Sequence, residues 1–122
     1  MANPVIHFEI GGRDLTRMTS FYGELFGWNP QPAGPEYALV PAGTSGGLGG
    51  GLLQTSGEMQ PYVTVYVAVD DLRAMLDRAA ALGAKTVVTP TMIPGVGEFA
   101  LFADPDGNVI GLLHQQAEAV AS

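Results

Sequence analysis

The segment of residues 5–10 carries two side chains that suit acid–base chemistry. After Val5, apolar and polar residues alternate, which predicts a half-buried strand with His7 and Glu9 together on one face. An imidazole beside a carboxylate can act as a general base or hold the polar groups of a ligand. A lone histidine among apolar neighbours is more often a hydrogen-bonded filler. A carboxylate that faces a cavity is costly unless the cavity holds water or the group has a partner, for which His7, Arg13, a partner chain or the ligand are the alternatives.

A second segment, residues 62–69, repeats this pattern. Its valines fall on one side, and the corresponding positions put Thr64 in the place of His7 and Tyr66 in the place of Glu9. Strand phase therefore predicts that Thr64 and Tyr66 line the same kind of surface as the acid–base pair. The alternative is that both are polar residues at the edge of a core.

Each of these strands leads into a predicted helix. Asp14 opens a stretch whose apolar residues recur at three- and four-residue steps until Gly27, and Asp71 opens a similar one that stops at Gly83. Three further strand-like segments follow each helix, with Pro94-Gly95 and residues 104–107 as strong turns. They are about 28–31, 36–42 and 48–54 in the first half, and about 86–93, 98–103 and 109–114 in the second.

The chain is thus a βαβββ unit written twice, which predicts an α+β fold. We expect one domain over residues 1–122, with internal modules at about 4–55 and 61–115. Neither module can bury its helix-facing strands alone, so the two must pack side by side or exchange with a second chain.

Composition excludes several classes of function. A formal charge of −7 repels phosphate backbones and anionic lipids, so we expect no nucleic-acid or membrane partner. The absence of cysteine removes disulfides, thiolate nucleophiles and cysteine-bound metals. The N-terminus lacks the features of a signal peptide, and the longest apolar run is too short to span a bilayer, so we expect a soluble cytoplasmic protein.

Two glycine-rich strings do not predict nucleotide binding. The run at 43–51 lacks the Lys-Ser or Lys-Thr pair of a phosphate loop and precedes a strand, which favours a mobile lid or a hairpin turn. The string at 95–100 has the glycine spacing of a dinucleotide fingerprint, but no helix follows it to bind a pyrophosphate. We therefore expect no cofactor.

Two strings and the duplicated unit together resemble the vicinal oxygen chelate superfamily. The strings are Phe21-Tyr22-Gly23-Glu24-Leu25-Phe26-Gly27-Trp28 and the turn Asp104-Pro105-Asp106-Gly107-Asn108. That superfamily includes glyoxalase I, the bleomycin-resistance proteins, extradiol dioxygenases and methylmalonyl-CoA epimerase. The resemblance implies that the strands of two βαβββ modules curl into an incomplete barrel, usually in a homodimer. It also implies a ligand on the concave face.

The resemblance further implies four metal-ligand positions, one on the first strand and one on the last strand of each module. The internal repeat puts them at His7, Gly51, Thr64 and Gly111, of which only His7 is a credible ligand. We therefore expect no metal, and neither glyoxalase I nor extradiol dioxygenase chemistry. The two glycines should instead open space for an organic ligand.

We therefore expect a metal-free protein of the bleomycin-resistance type that sequesters an aromatic or drug-like ligand, with a role such as antibiotic resistance. In that branch of the superfamily the pocket is often shared between subunits. The alternative is a metal-independent lyase, isomerase or cyclase in which Glu9 or His7 is the general base. The sequence leaves open whether the protein is an enzyme.

Alternation places Phe99 and Phe102 on opposite faces of a strand, so only one of them can face the ligand. The predicted ligand-binding residues are His7, Glu9, Trp28, Gly51, Thr64, Tyr66, Phe99 and Gly111.

Overall fold

The computed structural model describes residues 2–44, 46–94 and 96–115, and its elements confirm the α+β class and the βαβββ order of both halves. Neither helix in this part of the chain is long and apolar enough to cross a membrane. The elements are β1 (Val5–Gly12), α1 (Leu15–Phe26), β2 (Gln31–Pro32), β3 (Tyr37–Val40), β4 (Gly50–Gln54), β5 (Tyr62–Ala68), α2 (Leu72–Ala81), β6 (Lys85–Ile93), β7 (Gly97–Ala103) and β8 (Val109–Gln115).

The chain forms two compact units. The first unit comprises residues 6–65, and the described part of the second unit comprises residues 2–5 and 66–115. Strand β5 therefore contributes its first four residues to the first unit and its last three to the second. The modules at about 4–55 and 61–115, which the sequence repeat defines, stay a prediction about domain organisation.

In the first unit the strands are ordered β2-β3-β4-β1, with β1 parallel to β4 and β3 antiparallel to it. The register places Glu9 and Leu39 on either side of Gly51, so these three positions share one face of the sheet. The opposite face packs against α1. Leu52, the neighbour of Gly51 along β4, is fully buried there.

The second unit repeats this pairing. Its order is β5-β8-β7-β6, with β5 parallel to β8 and β7 antiparallel to it. Tyr66 and Leu101 lie on either side of Gly111, which repeats the arrangement around Gly51. The opposite face packs against α2 and forms the buried core of Val69, Leu72, Leu76, Ala100 and Leu112.

The helix boundaries follow from their caps, and the predicted starts are confirmed. The side chain of Asp14 accepts a hydrogen bond from the Arg17 amide at 3.0 Å, and that of Asp71 accepts one from the Ala74 amide at 3.0 Å. The first helix ends at Gly27, whose φ of 73° is the left-handed conformation that glycine adopts without strain.

The short strands of the first half differ from the prediction. The segment predicted at 28–31 is a two-residue strand, Gln31–Pro32, and β3 and β4 are shorter than expected. Gln31 supplies the one backbone N–H of this strand, because Pro30 and Pro32 on either side have no N–H to donate to a β-ladder. Trp28 instead packs against the aromatic residues of α1.

Replacing Leu52 with alanine should destabilise the protein by about 3 kcal/mol, because the side chain is fully buried and its removal leaves a cavity. Urea unfolding followed by circular dichroism measures the loss. Leu39→Ala is the matched control on the next strand, since Leu39 is 46% exposed and its truncation should change stability by roughly 0.5 kcal/mol or less. Equal losses in the two variants would contradict this assignment of the core.

Candidate functional site

The two acid–base side chains of β1 each meet a tyrosine. The Tyr62 hydroxyl donates to Oε1 of Glu9 at 2.6 Å, and Nε2 of His7 lies 3.0 Å from the Tyr37 hydroxyl. Glu9 is only 6% exposed, so a short hydrogen bond from a phenol offsets part of the cost of burying it. Arg13, one of the partners considered for Glu9, donates to Oε1 of Gln60 at 3.1 Å.

The tyrosine rings fill the space that glycines leave free. A Cβ atom built on Gly51 would overlap the hydroxyl and ring of Tyr37, and one built on Gly11 would overlap the ring of Tyr62. In the second unit the ring of Tyr66 covers Gly111 in the same way. The expectation that Gly51 and Gly111 leave open space is therefore wrong, because an aromatic ring lies over each of them.

The three predicted residues of the second unit lie together on the sheet face opposite α2. Tyr66 is 8% exposed and packs edge-to-face on Phe99, with ring centroids 6.5 Å apart, above Gly111. Phe102 packs against the core under α2. The two phenylalanines thus occupy opposite faces, as alternation predicts, and the role of Phe99 in binding stays a prediction.

The remaining predicted residues belong to the first unit. Thr64 is buried on β5, in strand phase with Tyr62, and its hydroxyl lies 3.4 Å from the Val65 carbonyl oxygen. Trp28 does not join this face. Its ring packs at a tilt against Phe8, at a centroid distance of 5.4 Å, and Phe8 points to the helix side of β1, away from His7 and Glu9.

Burial sets the protonation of His7. Desolvation lowers the pKa of the imidazole below its usual value, and the negative charge of Glu9 opposes this shift without cancelling it. The imidazole is therefore neutral at pH 7. A neutral ring can accept a proton or hydrogen-bond an uncharged ligand group.

These residues do not fit a divalent metal ion. Across residues 2–44, 46–94 and 96–115, no group of three or more histidine, cysteine, aspartate or glutamate side chains is placed to hold one. The glycine positions offer no donor, and rings occupy the space beside them. Zinc and similar ions need three or four nitrogen, sulfur or carboxylate ligands, which His7 and Glu9 cannot supply.

An open groove of about 400 Å³ adjoins this site within the first unit. Its wall includes Pro35, Leu53, Met59 and Tyr37, with Glu36 as the charged group. The volume falls in the range of about 300–1,000 Å³ that is typical of small-molecule sites. His7 and Glu9 do not line the groove, and Tyr37 both lines it and contacts His7.

Comparison with known proteins identifies the family. The sequence model of the Glyoxalase/Bleomycin resistance protein/Dioxygenase superfamily matches residues 5–112, so the chain belongs to that superfamily. The resemblance inferred from the sequence strings is confirmed. The fold is also that of methylmalonyl-CoA epimerase from Mycobacterium tuberculosis, with a TM-score of 0.69, 17% identity, and coverage of 97% of this chain and 91% of that one.

Two sequence relatives are similar over part of their length. CFP32 of Mycobacterium tuberculosis is 36% identical over 81 residues, which are 66% of this chain and 31% of that protein. Its name places it provisionally among the glyoxylases. The anthracycline biosynthesis protein DnrV of Streptomyces peucetius is 30% identical over 119 residues, covering 82% of this chain and 42% of the relative. The chain thus spans less than half the length of either relative.

Sequence reasoning missed the two tyrosines that meet the acid–base pair. Tyr62 was detectable, because it begins β5 in phase with Thr64 and Tyr66. Tyr37 was not, because its position over Gly51 depends on the register between β3 and β4. No local pattern in the sequence specifies that register.

Gly51→Ala should lower the free energy of unfolding because its Cβ overlaps Tyr37. The loss of stability should be smaller when Tyr37 is also replaced. We expect a coupling energy of about 1–3 kcal/mol in a double-mutant cycle of Gly51→Ala with Tyr37→Ala, measured by urea unfolding. Gly111→Ala with Tyr66→Ala is the matched cycle in the second unit. Additive effects in both cycles would show that the rings do not rest on the glycines.

The His7 imidazole should titrate below its ordinary pKa, and Glu9→Gln should lower that pKa further by removing the opposing negative charge. Proton NMR on a His114→Gln background, which leaves His7 as the one histidine, follows the titration. Because the unfolded chain takes up this proton more readily, stability should decline as the pH falls through about 6.5. A His7 pKa that rises in Glu9→Gln would contradict this electrostatic picture.

Proposed function

We propose that this chain binds a small aromatic molecule without a metal ion, on the face of the first unit formed by His7, Glu9 and Tyr37 and in the adjoining groove. The observation that carries the proposal is the tyrosine ring over each of Gly51 and Gly111. A ring that fills the space beside a metal-ligand position disfavours an ion there, and it indicates that the space suits an aromatic ring that carries a hydroxyl. Sequestration of a drug-like ligand is the biological role that suits such a site.

The composition of the groove supports an aromatic ligand. Pro35, Leu53 and Met59 give it apolar walls, and the thioether of Met59 suits contact with a ring. DnrV carries anthracycline biosynthesis in its name, and anthracyclines are polycyclic aromatic compounds with several hydroxyl groups. The negative charge of the chain favours neutral or cationic ligands over anionic ones.

We also propose that the protein is a homodimer. Helix α1 has no buried residue in the single chain, and Phe21, Leu25 and Phe26 are each more than half exposed. Large apolar side chains grouped on one helix are typical of an interface. Light scattering at the concentrations used for binding gives the mass, and a strictly monomeric protein would contradict this assembly.

A metal-independent enzyme is the second candidate, and the state of His7 favours it. Burial keeps the imidazole neutral at pH 7, the form required of a general base, and Glu9 lies two residues away on the same strand face. Proton abstraction in a lyase, isomerase or cyclase step needs such a base. The Tyr62 hydroxyl, already bonded to Glu9, would hold that carboxylate in place.

The test of binding uses protein stripped with EDTA and doxorubicin, an anthracycline whose fluorescence reports association. We expect binding that added divalent metals do not change, and a loss of at least tenfold in affinity for Met59→Asp, which puts a charge into the apolar wall. Met92→Asp is the matched control, since Met59 and Met92 are 50% and 54% exposed. Failure of doxorubicin and of a panel of aromatic compounds to bind would refute the proposal, as would one tightly held transition metal per chain.

Glu9→Gln separates the two candidates. A sequestering protein should keep its affinity within about threefold, because glutamine still accepts the hydrogen bond from Tyr62. A general-base enzyme should bind equally well but lose turnover of the bound compound by at least a hundredfold. Mass spectrometry of the compound after incubation measures the turnover.

A further inference from the structure

Tyr37 faces two environments. One side of its ring covers Gly51 and its hydroxyl lies 3.0 Å from Nε2 of His7, while the residue also lines the 400 Å³ groove with Leu53 and Met59. Tyr37 therefore borders the groove and, at the same time, contacts Gly51 and His7.

We propose that the surface over Gly51 is a subsite for a neutral hydroxyaryl group of the ligand, and that Tyr37 is a gate whose phenol occupies this subsite until the ligand displaces it. This inference rests on the proposed function and names the chemical class that the site accepts. The ligand ring lies flat on the backbone of Gly51, and its hydroxyl takes the place of the Tyr37 hydroxyl at His7.

The shape of the subsite follows from Gly51. The Tyr37 ring already lies closer to the Gly51 backbone than any residue with a Cβ would allow, so an aromatic ring of the same thickness fits there. Leu39 and Glu9 border Gly51 in the sheet register and fix the sides of the subsite. Its dimensions are those of a single phenol ring.

The polar groups define the substituent. His7 offers one ring nitrogen to the hydroxyl that now belongs to Tyr37, and the same hydrogen bond is available to a ligand hydroxyl. An aryl group without a hydroxyl would leave this half-buried nitrogen without that bond. The carboxylate of Glu9 beside Gly51 disfavours a carboxylate on the ligand ring.

The position of Tyr37 in the chain allows it to move. It is the first residue of β3, it is half-buried, and the four residues before it, 33–36, are all exposed. Rotation about χ1 turns the ring towards the groove while the backbone pairing with Leu53 stays in place. The groove therefore gives the displaced ring somewhere to go.

The first test removes the gate. In Tyr37→Ala, p-cresol, which has the ring and hydroxyl of the deleted side chain, should bind with a dissociation constant in the millimolar range and at least fivefold more tightly than toluene. Ligand-observed NMR measures both affinities. Tyr22→Ala is the matched control, because the ring of Tyr22 lies on α1 and packs against the rings of Phe21 and Trp28. There p-cresol should have no advantage over toluene.

The second test observes the gate in the intact protein. Labelling with 3-fluorotyrosine gives four fluorine signals, and Tyr37→Phe assigns that of Tyr37. Saturating doxorubicin should shift the Tyr37 signal by more than that of Tyr22, and Tyr37→Ala should bind doxorubicin at least threefold more tightly because no ring has to be displaced.

The outcomes distinguish the gate from the function. If doxorubicin binds while the Tyr37 signal and the Tyr37→Ala affinity stay unchanged, the gate is wrong and ligand binding stands. If doxorubicin does not bind but Tyr37→Ala prefers p-cresol, the hydroxyaryl subsite stands and the choice of ligand is wrong. Equal binding of p-cresol and toluene by Tyr37→Ala overturns the subsite. If Tyr37→Ala does not fold, the fluorine shift in the intact protein decides.

Discussion

The contact between a tyrosine ring and a bare glycine Cα sets the chemistry of the first unit. Tyr37 covers Gly51 and Tyr62 covers Gly11, and each ring comes closer to the sheet than a Cβ would permit. That close approach brings the two hydroxyls to His7 and Glu9. The same rings therefore fill the space over the glycines and hydrogen-bond the acid–base pair, so packing and chemistry cannot be changed separately.

The hydroxyl of Tyr62 donates a hydrogen bond to the carboxylate of Glu9. The negative charge of Glu9 raises the pKa of His7, but the lowering effect of burial is larger. The result is a neutral imidazole beside a carboxylate, which suits ligands that carry hydroxyl groups and no negative charge.

How far the sequence predicts this arrangement depends on the range of the interactions. The helix starts at Asp14 and Asp71 and the face shared by His7 and Glu9 follow from local rules of capping and alternation. The position of Tyr37 does not, since the ring reaches Gly51 only through the pairing of β3 with β4. The same limit explains why the sequence predicts open space at the glycines. The sequence shows that Gly51 and Gly111 have no side chain, but it does not show which neighbouring ring fills the space.

The strand register relates the hydrogen-bonding side chains around Gly51 to the aromatic pair over Gly111. Glu9 lies beside Gly51 as Tyr66 lies beside Gly111, and Tyr37 lies beside Leu53 as Phe99 lies beside Leu113. In the second unit the ring over the glycine thus comes from the first strand of the repeat, and the residue that corresponds to Tyr37 has no hydroxyl. In the first unit a carboxylate holds that strand position, so the covering ring has to come from β3. Three exchanges, His7 for Thr64, Glu9 for Tyr66 and Tyr37 for Phe99, separate an acid–base site from an aromatic surface. The duplicated fold thus assigns hydrogen bonding to one half and ring contact to the other.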